Sequence, residues 1–331
     1  DQGRNAVRAD LATYGTPLSV GGVVYSHGVG THAPSKFVIK VNGATDFSAL
    51  YDLPETTAEE RLKKVSLYLE QIDPELMECY DYMKQYELYD MDPGEGKADT
   101  GFTVTLPYYN DVFIFDSPYG NYYDYTTAIH EFGHYNYKFH DTEDILTQQS
   151  NIDLNEIHSQ GLEMLYYDYA DELLDGEAGD LFQFMEVYQM ADNTVEASLV
   201  SEFEIQVYNN PGMTLEDMNK LYHNLSAKYG IYYNENISEA YSWVDISHIF
   251  NSPCYYIGYA TSAFSSLDLL TLSEENRHEA VEKYMELTTL PTYVPYCAAV
   301  EYVGLRDIFE KGTAKEIIQE TVNILEASAE N

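Results

Sequence analysis

The chain has 331 residues, with 56 Asp and Glu against 17 Lys and Arg, and its formal net charge is −39. A surface this acidic repels phosphate backbones and anionic lipid headgroups, so nucleic acid and membrane surfaces are excluded as expected partners. No apolar run approaches the ~20 residues that span a bilayer, and the three cysteines form neither a CxxC pair nor a disulfide framework.

The first fifty residues have the pattern of a short β segment. Two β-prone runs, residues 21–25 and 36–43, are bounded by glycine-rich stretches. Short runs bounded in this way are typical of strands joined by turns. We therefore expect a small β module over residues 1–52, followed by a mainly helical domain over residues 53–331.

Helical signals dominate after residue 53. Thr57 and Glu60 have the spacing of a capping box, and apolar residues then recur at helical intervals. One β interruption is predicted, an antiparallel hairpin that joins residues 102–106 to 112–115. Further helices are expected at about 123–140, 153–173, 180–208, 214–229, 255–270, 274–288 and 313–328, with breaks at Gly176, Gly179, Pro211, Gly230, Pro253, Pro291 and Gly312. The expected fold class is mainly α.

The predicted helix at 123–140 carries an H-E-x-x-H motif. His130 and His134 are four residues apart, so both imidazoles lie on one helix face and can reach one Zn²⁺ ion. Glu131 projects beside them and can hydrogen-bond a water molecule without being a ligand. The alternative interpretation is an amphipathic helix with two surface histidines. The motif favours activation of water by a metal ion.

A three-ligand zinc site needs one more donor, and a carboxylate from a following helix is a common solution. Glu156 lies 22 residues after His134, which leaves room for a turn and an antiparallel return. We expect Glu156 to be the third ligand and Glu163, two helical turns later, to support a ligand from outside the metal shell. His140 and His158 are alternative ligands, and a solvated acid is the alternative for Glu163.

Residues 248–259 contain His248, Tyr256 and Tyr259. Hydrolysis of a peptide develops negative charge on the carbonyl oxygen, which phenol or imidazole donors stabilise. Tyr256 and Tyr259 are three residues apart and would share a helix face. Aromatic core is the alternative interpretation in a chain with 33 tyrosines.

Taken together, these segments resemble the thimet oligopeptidase and oligoendopeptidase F family of zinc peptidases over about residues 90 to 310. The matching motifs, in chain order, are Gly96-Lys97-Ala98 with Gly101, His130-Glu131-Phe132-Gly133-His134, Asn155-Glu156 with Ser159-Gln160 and Glu163, Phe203-Glu204, and His248 with the run from Pro253 to Ala260. The resemblance implies a zincin-like helical catalytic domain that cleaves short peptides.

The resemblance also implies roles for single residues. His130, His134 and Glu156 would hold one zinc ion per chain, and Glu131 would be the general base. Family members are roughly twice as long as this chain, with a large helical N-terminal portion.

The same resemblance assigns His248, Tyr256 and Tyr259 to the substrate and the oxyanion. Tyr255 is the alternative to Tyr256 as a substrate-binding residue. Cys254 stands where an aromatic residue often follows the proline.

A second resemblance covers residues 17–53. The glycine-rich run at 21–35, which includes His27 and His32, looks like part of an NPCBM-type carbohydrate-binding module. It implies glycan as a further partner and favours an extracellular or cell-surface setting, with the cytoplasm as the alternative.

Two competing functions follow. One is a catalytically inactive, peptidase-like protein that acts as a glycan-binding surface module. The other is a helical scaffold whose motif is accidental. Bound zinc would separate the enzyme from the inactive protein, and the three matching segments in order disfavour the scaffold.

Overall fold

The computed structural model describes residues 19–20, 23–24, 38–39, 48–51, 53–54, 56–97, 100–141, 151–174, 176–230, 239–291 and 293–330. Most of the predicted N-terminal β segment, including His27 and His32, lies outside these residues. Its described part contains three two-residue strands, β1 (Ser19–Val20), β2 (Val23–Val24) and β3 (Val38–Ile39), and a short helix at Ser48–Tyr51. Strand β3 pairs in parallel with β1 and antiparallel with β2.

Helices make up most of the described chain, so the expected mainly α class is confirmed. In chain order they are α1 (Ser48–Tyr51), α2 (Ala58–Ile72), α3 (Pro74–Gln85), α4 (Tyr123–His140), α5 (Ile152–Leu165), α6 (Ala170–Leu173), α7 (Glu177–Asn209), α8 (Leu215–Tyr229), α9 (His248–Asn251), α10 (Ile257–Thr288), α11 (Tyr296–Val303) and α12 (Thr313–Glu330). Two 3₁₀ segments cover Tyr167–Tyr169 and Glu239–Asp245. None of the described helices has the combination of length and hydropathy that a membrane-spanning segment requires.

The chain divides into two compact units. The first takes in the described residues within 1–45, 189–264 and 307–331, and the second those within 46–188 and 265–306. The expected organisation, with a boundary between residues 52 and 53, stays a prediction.

The second unit contains a three-stranded sheet with the order β4-β6-β5. Strands β5 (Phe102–Leu106) and β6 (Asp111–Phe115) form the predicted antiparallel hairpin, with Thr103 opposite Ile114 in the register. Strand β4 (Tyr89–Asp90), which was not predicted, pairs in parallel with β6. Ile114 is fully buried, so the central strand fixes the hairpin beside the helices.

Local signals explain where several helices begin. The hydroxyl of Thr57 accepts a hydrogen bond from the Glu60 N–H, and the Glu60 carboxylate accepts one from the Thr57 N–H, which confirms the capping box of α2. The predicted helices at 255–270 and 274–288 form one element, α10, with a kink at Asn276.

The predicted break at Gly179 is wrong, because Gly179 lies inside α7. A Cβ atom there would lie 2.2 Å from the carbonyl oxygen of Asp171. Glycine therefore allows close backbone approach at this position instead of ending the helix.

The first unit has its own apolar core. Phe203 packs edge-on against Tyr222 and in a tilted arrangement against Trp243, with ring centroids 5.3 Å apart in both pairs. The indole N–H of Trp243 donates to the side-chain oxygen of Asn219 at 2.9 Å, which satisfies its buried polar atom.

Candidate functional site

Helices α4 and α5 approach each other closely at Gly133, the fourth residue of the H-E-x-x-H segment. A Cβ atom on Gly133 would lie 2.4 Å from the carbonyl oxygen of His158 and 2.7 Å from Cα of Ser159. Only a residue without a side chain fits this distance. The approach places Glu156, at the start of α5, against the histidines of α4.

Two histidines and one carboxylate converge between these helices. Nε2 of His130 lies 3.4 Å, and Nε2 of His134 lies 3.3 Å, from Oε2 of Glu156. Among the described residues, these three side chains form the group of His, Cys, Asp or Glu donors that could hold a metal ion, with ligand atoms within 4.8 Å of one another. His134 and Glu156 are buried and His130 is half-buried.

Glu163 supports this cluster from α5. Its Oε1 atom lies 2.6 Å from Nδ1 of His130, so the carboxylate can accept a hydrogen bond from that ring nitrogen. Enclosure favours the neutral imidazole, but the hydrogen bonds to Glu156 and Glu163 prevail and raise the pKa of His130 well above its ordinary value. Burial opposes the charge of Glu156, yet the two histidines hold the pKa of that carboxyl well below its ordinary value.

Glu131 lies beside the cluster and is 6% exposed. The hydroxyl of Thr103, on β5, lies 2.7 Å from Oε2 and 3.0 Å from the backbone oxygen of Glu131. A Cβ atom on Gly101 would be 3.4 Å from the other carboxylate oxygen, Oε1. The carboxylate is therefore held at one oxygen, and a glycine lies next to the other.

A second buried carboxyl, Asp116, lies near Gly101. Its Oδ1 atom is 3.5 Å from the position of a Gly101 Cβ, and its Oδ2 atom has no hydrogen-bond partner among the described residues. Burial raises the pKa of Asp116 to about 6; the charge of Arg61 opposes the rise, and the charges of Asp124 and Glu131 add to it. Asp116 therefore stays protonated to a higher pH than an exposed aspartate does.

A third buried carboxyl, Glu186, lies on α7. It accepts a 2.6 Å hydrogen bond from the hydroxyl of Thr126, one turn before His130 on α4. Burial and the charge of Glu163 raise its pKa well above the ordinary value of a glutamate. The Glu186 carboxyl therefore favours its neutral, protonated form.

The alternative ligands predicted from the sequence lie outside the donor cluster. His158 is buried and its ring stacks on Tyr137, with centroids 3.8 Å apart. Burial lowers the pKa of His158 to about 3, so its ring stays neutral. His140 is the last residue of α4, and its Nε2 atom has no hydrogen-bond partner among the described residues.

The predicted substrate residues of the first unit form an aromatic cluster. The ring of His248 lies 5.4 Å from the rings of Tyr255 and Tyr256 and 5.7 Å from that of Tyr259. The Tyr259 hydroxyl lies 3.4 Å from Nε2 of His248. Burial raises the pKa of Tyr256, which keeps its phenol protonated. The spacing predicted only that Tyr256 and Tyr259 share a helix face, whereas α10 begins at Ile257, so Tyr256 precedes the helix.

Glu204, from the Phe203-Glu204 motif, supports the loop before this cluster. It is buried, and its Oε1 atom accepts a 2.9 Å hydrogen bond from the backbone N–H of Cys254. Cys254 has a positive φ of 65°, an unusual conformation for a residue with a side chain. The carboxylate thus helps to hold a strained turn.

Thr103, Asp116 and Glu186 were not singled out from the sequence. Thr103 lies in a β-prone run where nothing distinguishes it from Thr105, and Asp116 and Glu186 are two acids among 56. The positions of these residues depend on contacts between segments that are far apart in the sequence. Such contacts leave no periodic pattern in the sequence. Gly133 carried a usable signal, because a glycine inside a predicted helix suggests close packing.

Comparisons with known proteins identify the N-terminal segment and the fold. Residues 1–68 match the NPCBM/NEW2 domain family. A structure provisionally assigned as oligoendopeptidase F is similar with a TM-score of 0.76 and 24% identity, over 84% of this chain and 50% of that one. PZ peptidase A with an inhibitor gives 0.75 and 24%, over 83% and 50%. A protein from Bacillus anthracis str. Ames, with the same provisional assignment as the first, gives 0.71 and 24%, over 83% and 47%.

None of the curated proteins compared by sequence matches the chain significantly. The chain spans about half the length of the solved structures named above. It has a peptidase-like fold of the oligoendopeptidase F type, which confirms the expected fold. The NPCBM match confirms the second resemblance.

Proposed function

We propose that this chain is a zinc-dependent metallopeptidase that hydrolyses short peptides. The observation that carries the proposal is the convergence of the His130, His134 and Glu156 donor atoms within 4.8 Å. Glu131 follows His130 on α4 and therefore lies beside this group, where a general base is needed. The peptidase-like fold supports the reaction class.

The donor set suits zinc. Catalytic zinc ions commonly have three protein ligands drawn from imidazole nitrogen and carboxylate oxygen. Donors placed about 2.1 Å from a tetrahedral centre are about 3.4 Å apart. The separations of 3.3 and 3.4 Å to Oε2 of Glu156 agree with that value. His130, His134 and Glu156 would thus hold one zinc ion per chain, and Glu163 would orient the His130 ring through Nδ1.

A bound zinc ion would supply Lewis acidity, which polarises the scissile carbonyl and lowers the pKa of water. Glu131 accepts the proton of the attacking water and then passes it to the leaving amine. Its burial excludes bulk water from the carboxylate, and this keeps its hydrogen bonds strong.

We assign His248, Tyr256 and Tyr259 to binding of the substrate and the oxyanion, with Tyr255 as the alternative to Tyr256. Their clustering and the protonated state of Tyr256 support this assignment, because hydrogen-bond donors stabilise a developing oxyanion. The assignment itself stays a prediction that comes from the family resemblance.

A second candidate function rests on the N-terminal match. Residues 1–68 match the NPCBM/NEW2 family. A carbohydrate-binding module in this region would attach the chain to glycan. In that case the peptidase-like part need not be active. The two candidates differ in metal content, because an inactive remnant has no requirement for one equivalent of tightly held zinc.

The test is hydrolysis of internally quenched peptides of graded length by the purified chain. Zinc-loaded protein should cleave short peptides, lose activity with a chelator and regain it when zinc is restored. Absence of cleavage in protein that holds one zinc equivalent would contradict the enzymatic function. Binding of a glycan panel, measured in the same preparation, tests the second candidate.

A further inference from the structure

One contact fixes the orientation of the Glu131 carboxylate. The Thr103 hydroxyl lies between two acceptors of the same residue, Oε2 at 2.7 Å and the backbone oxygen at 3.0 Å. A hydroxyl at this distance from a carboxylate oxygen makes a charge-assisted hydrogen bond, which is stronger than a bond between neutral groups. The bond connects β5 to α4 across 28 residues of sequence.

Thr103 is itself held firmly. Its backbone pairs with Ile114 of the central strand β6, and Ile114 is fully buried. The β-branched side chain of threonine has few accessible χ1 rotamers. The hydroxyl therefore has a fixed position relative to the sheet, and it transfers that position to Oε2 of Glu131.

The second carboxylate oxygen has a different environment. Oε1 lies 3.4 Å from the position that a Gly101 Cβ atom would take, and that position is only 2.8 Å from Cγ2 of Thr127, so a side chain on residue 101 would crowd this oxygen. A general base needs one oxygen available to the proton it accepts and a carboxylate that does not rotate away. Because the Thr103 hydroxyl contacts Oε2, Oε1 would be the oxygen that takes that proton.

We propose that Thr103 is a positioning residue for catalysis, whose hydroxyl holds Oε2 of Glu131 so that Oε1 faces the attacking water. This role rests on the proposed peptide hydrolysis. It goes beyond that proposal by giving the two carboxylate oxygens different functions, since Thr103 holds Oε2 and Oε1 accepts the proton. In this role Thr103 takes no direct part in binding the metal ion or the substrate. It acts through Glu131.

Three variants test the role. Thr103→Val removes the hydroxyl and keeps the shape, Thr103→Ser keeps the hydroxyl, and Thr105→Val makes the same exchange two residues along the same strand. For each we would measure zinc content, the thermal midpoint, and kcat and KM per bound zinc. Crystal structures of the wild type and of Thr103→Val would show the position of the Glu131 carboxylate.

We expect Thr103→Val to keep one zinc equivalent and to lose kcat by about 10- to 100-fold, with KM within about twofold of the wild type. Thr103→Ser should restore most of kcat, and Thr105→Val should resemble the wild type. A merely structural role would lower the thermal midpoint without changing kcat per bound zinc.

An unchanged kcat in Thr103→Val, or a Glu131 carboxylate that stays in place in its crystals, overturns the inference. If the zinc-loaded wild type cleaves no peptide, the proposed function fails instead. The crystal structures still decide whether Thr103 positions Glu131 in that case, because a carboxylate that turns away in Thr103→Val supports the role and an unmoved one refutes it.

Discussion

Glu163 holds one nitrogen of the His130 ring while Glu156 faces the other. Oε1 of Glu163 lies 2.6 Å from Nδ1, and Oε2 of Glu156 lies 3.4 Å from Nε2. The two glutamates are seven residues apart on α5, which places them two turns apart on one face. A single helix therefore sets the orientation of this imidazole from both sides.

Loss of this support should weaken metal binding. Glu163→Ala removes the acceptor for Nδ1 of His130, and we expect the zinc affinity to fall about 10- to 100-fold. Competition with a calibrated chelator measures the change. Glu279→Ala, at a partly exposed carboxylate of α10, is the control and should keep the wild-type affinity. Equal zinc affinities for the two variants would argue against the support by Glu163.

Removal of the proposed general base should separate metal binding from turnover. Glu131→Gln keeps the size of the side chain but cannot accept the proton of water. We expect it to hold one zinc equivalent and to lose kcat by about 10²- to 10⁴-fold. Metal analysis and steady-state kinetics on the same sample check both parts. Full activity in this variant would refute the role of Glu131.

A methyl group at Gly133 should force α4 and α5 apart. The added Cβ would meet the His158 carbonyl at 2.4 Å, and backbone atoms cannot turn aside as a flexible side chain can. We expect Gly133→Ala to lower the free energy of unfolding by about 1 to 3 kcal/mol and to weaken zinc binding, since Glu156 lies on α5. Gly212→Ala, where a Cβ meets no described atom within 4 Å, is the control. Chemical denaturation and zinc titration distinguish the two variants.

The buried carboxyl of Asp116 should make stability depend on pH. Burial raises its pKa from 3.8 to about 6, so between these values the folded chain keeps a proton that the unfolded chain has released. The free energy of unfolding therefore falls as the pH rises through this window. The destabilising effect of the ionised, buried Asp116 carboxylate is fully present above pH ~6.

Asp116→Asn removes that cost. We expect it to raise the free energy of unfolding at pH 7.5 by about 1 to 3 kcal/mol, with little effect at pH ~4. Denaturation at a series of pH values checks the trend. Asp81→Asn, on the exposed face of α3, is the control. A variant that is as stable as the wild type at every pH would contradict the prediction.

Three single substitutions test the aromatic cluster. If Tyr256 and Tyr259 stabilise the oxyanion, replacement of either by Phe should lower kcat by about 10²-fold with a small change in KM. Tyr255→Phe is the matched comparison, because its ring lies in the same cluster. Loss of kcat in Tyr255→Phe but not in Tyr256→Phe would reverse the assignment between these neighbours.

Much of the candidate site was predictable because its signals are local. The four-residue spacing of His130 and His134 puts them on one helix face, and the capping box at Thr57 marks a helix start. Glu163 was expected to support a metal ligand because it lies two turns after Glu156 on the returning helix, but the sequence did not indicate that it contacts His130. By contrast, Gly179 was misread because a glycine that ends a helix and one that permits close packing have the same local pattern.

The sequence by itself determined the helical periodicity, the hairpin and the spacing of the candidate metal ligands within each motif, because each depends on residues only a few positions apart. Tertiary structure alone decided that Thr103 contacts Glu131, that Gly101 lies beside the other carboxylate oxygen of Glu131, and that Asp116 and Glu186 are buried near these groups. These contacts join residues far apart in the sequence, so they depend on how the sheet and the helices pack and not on any local pattern.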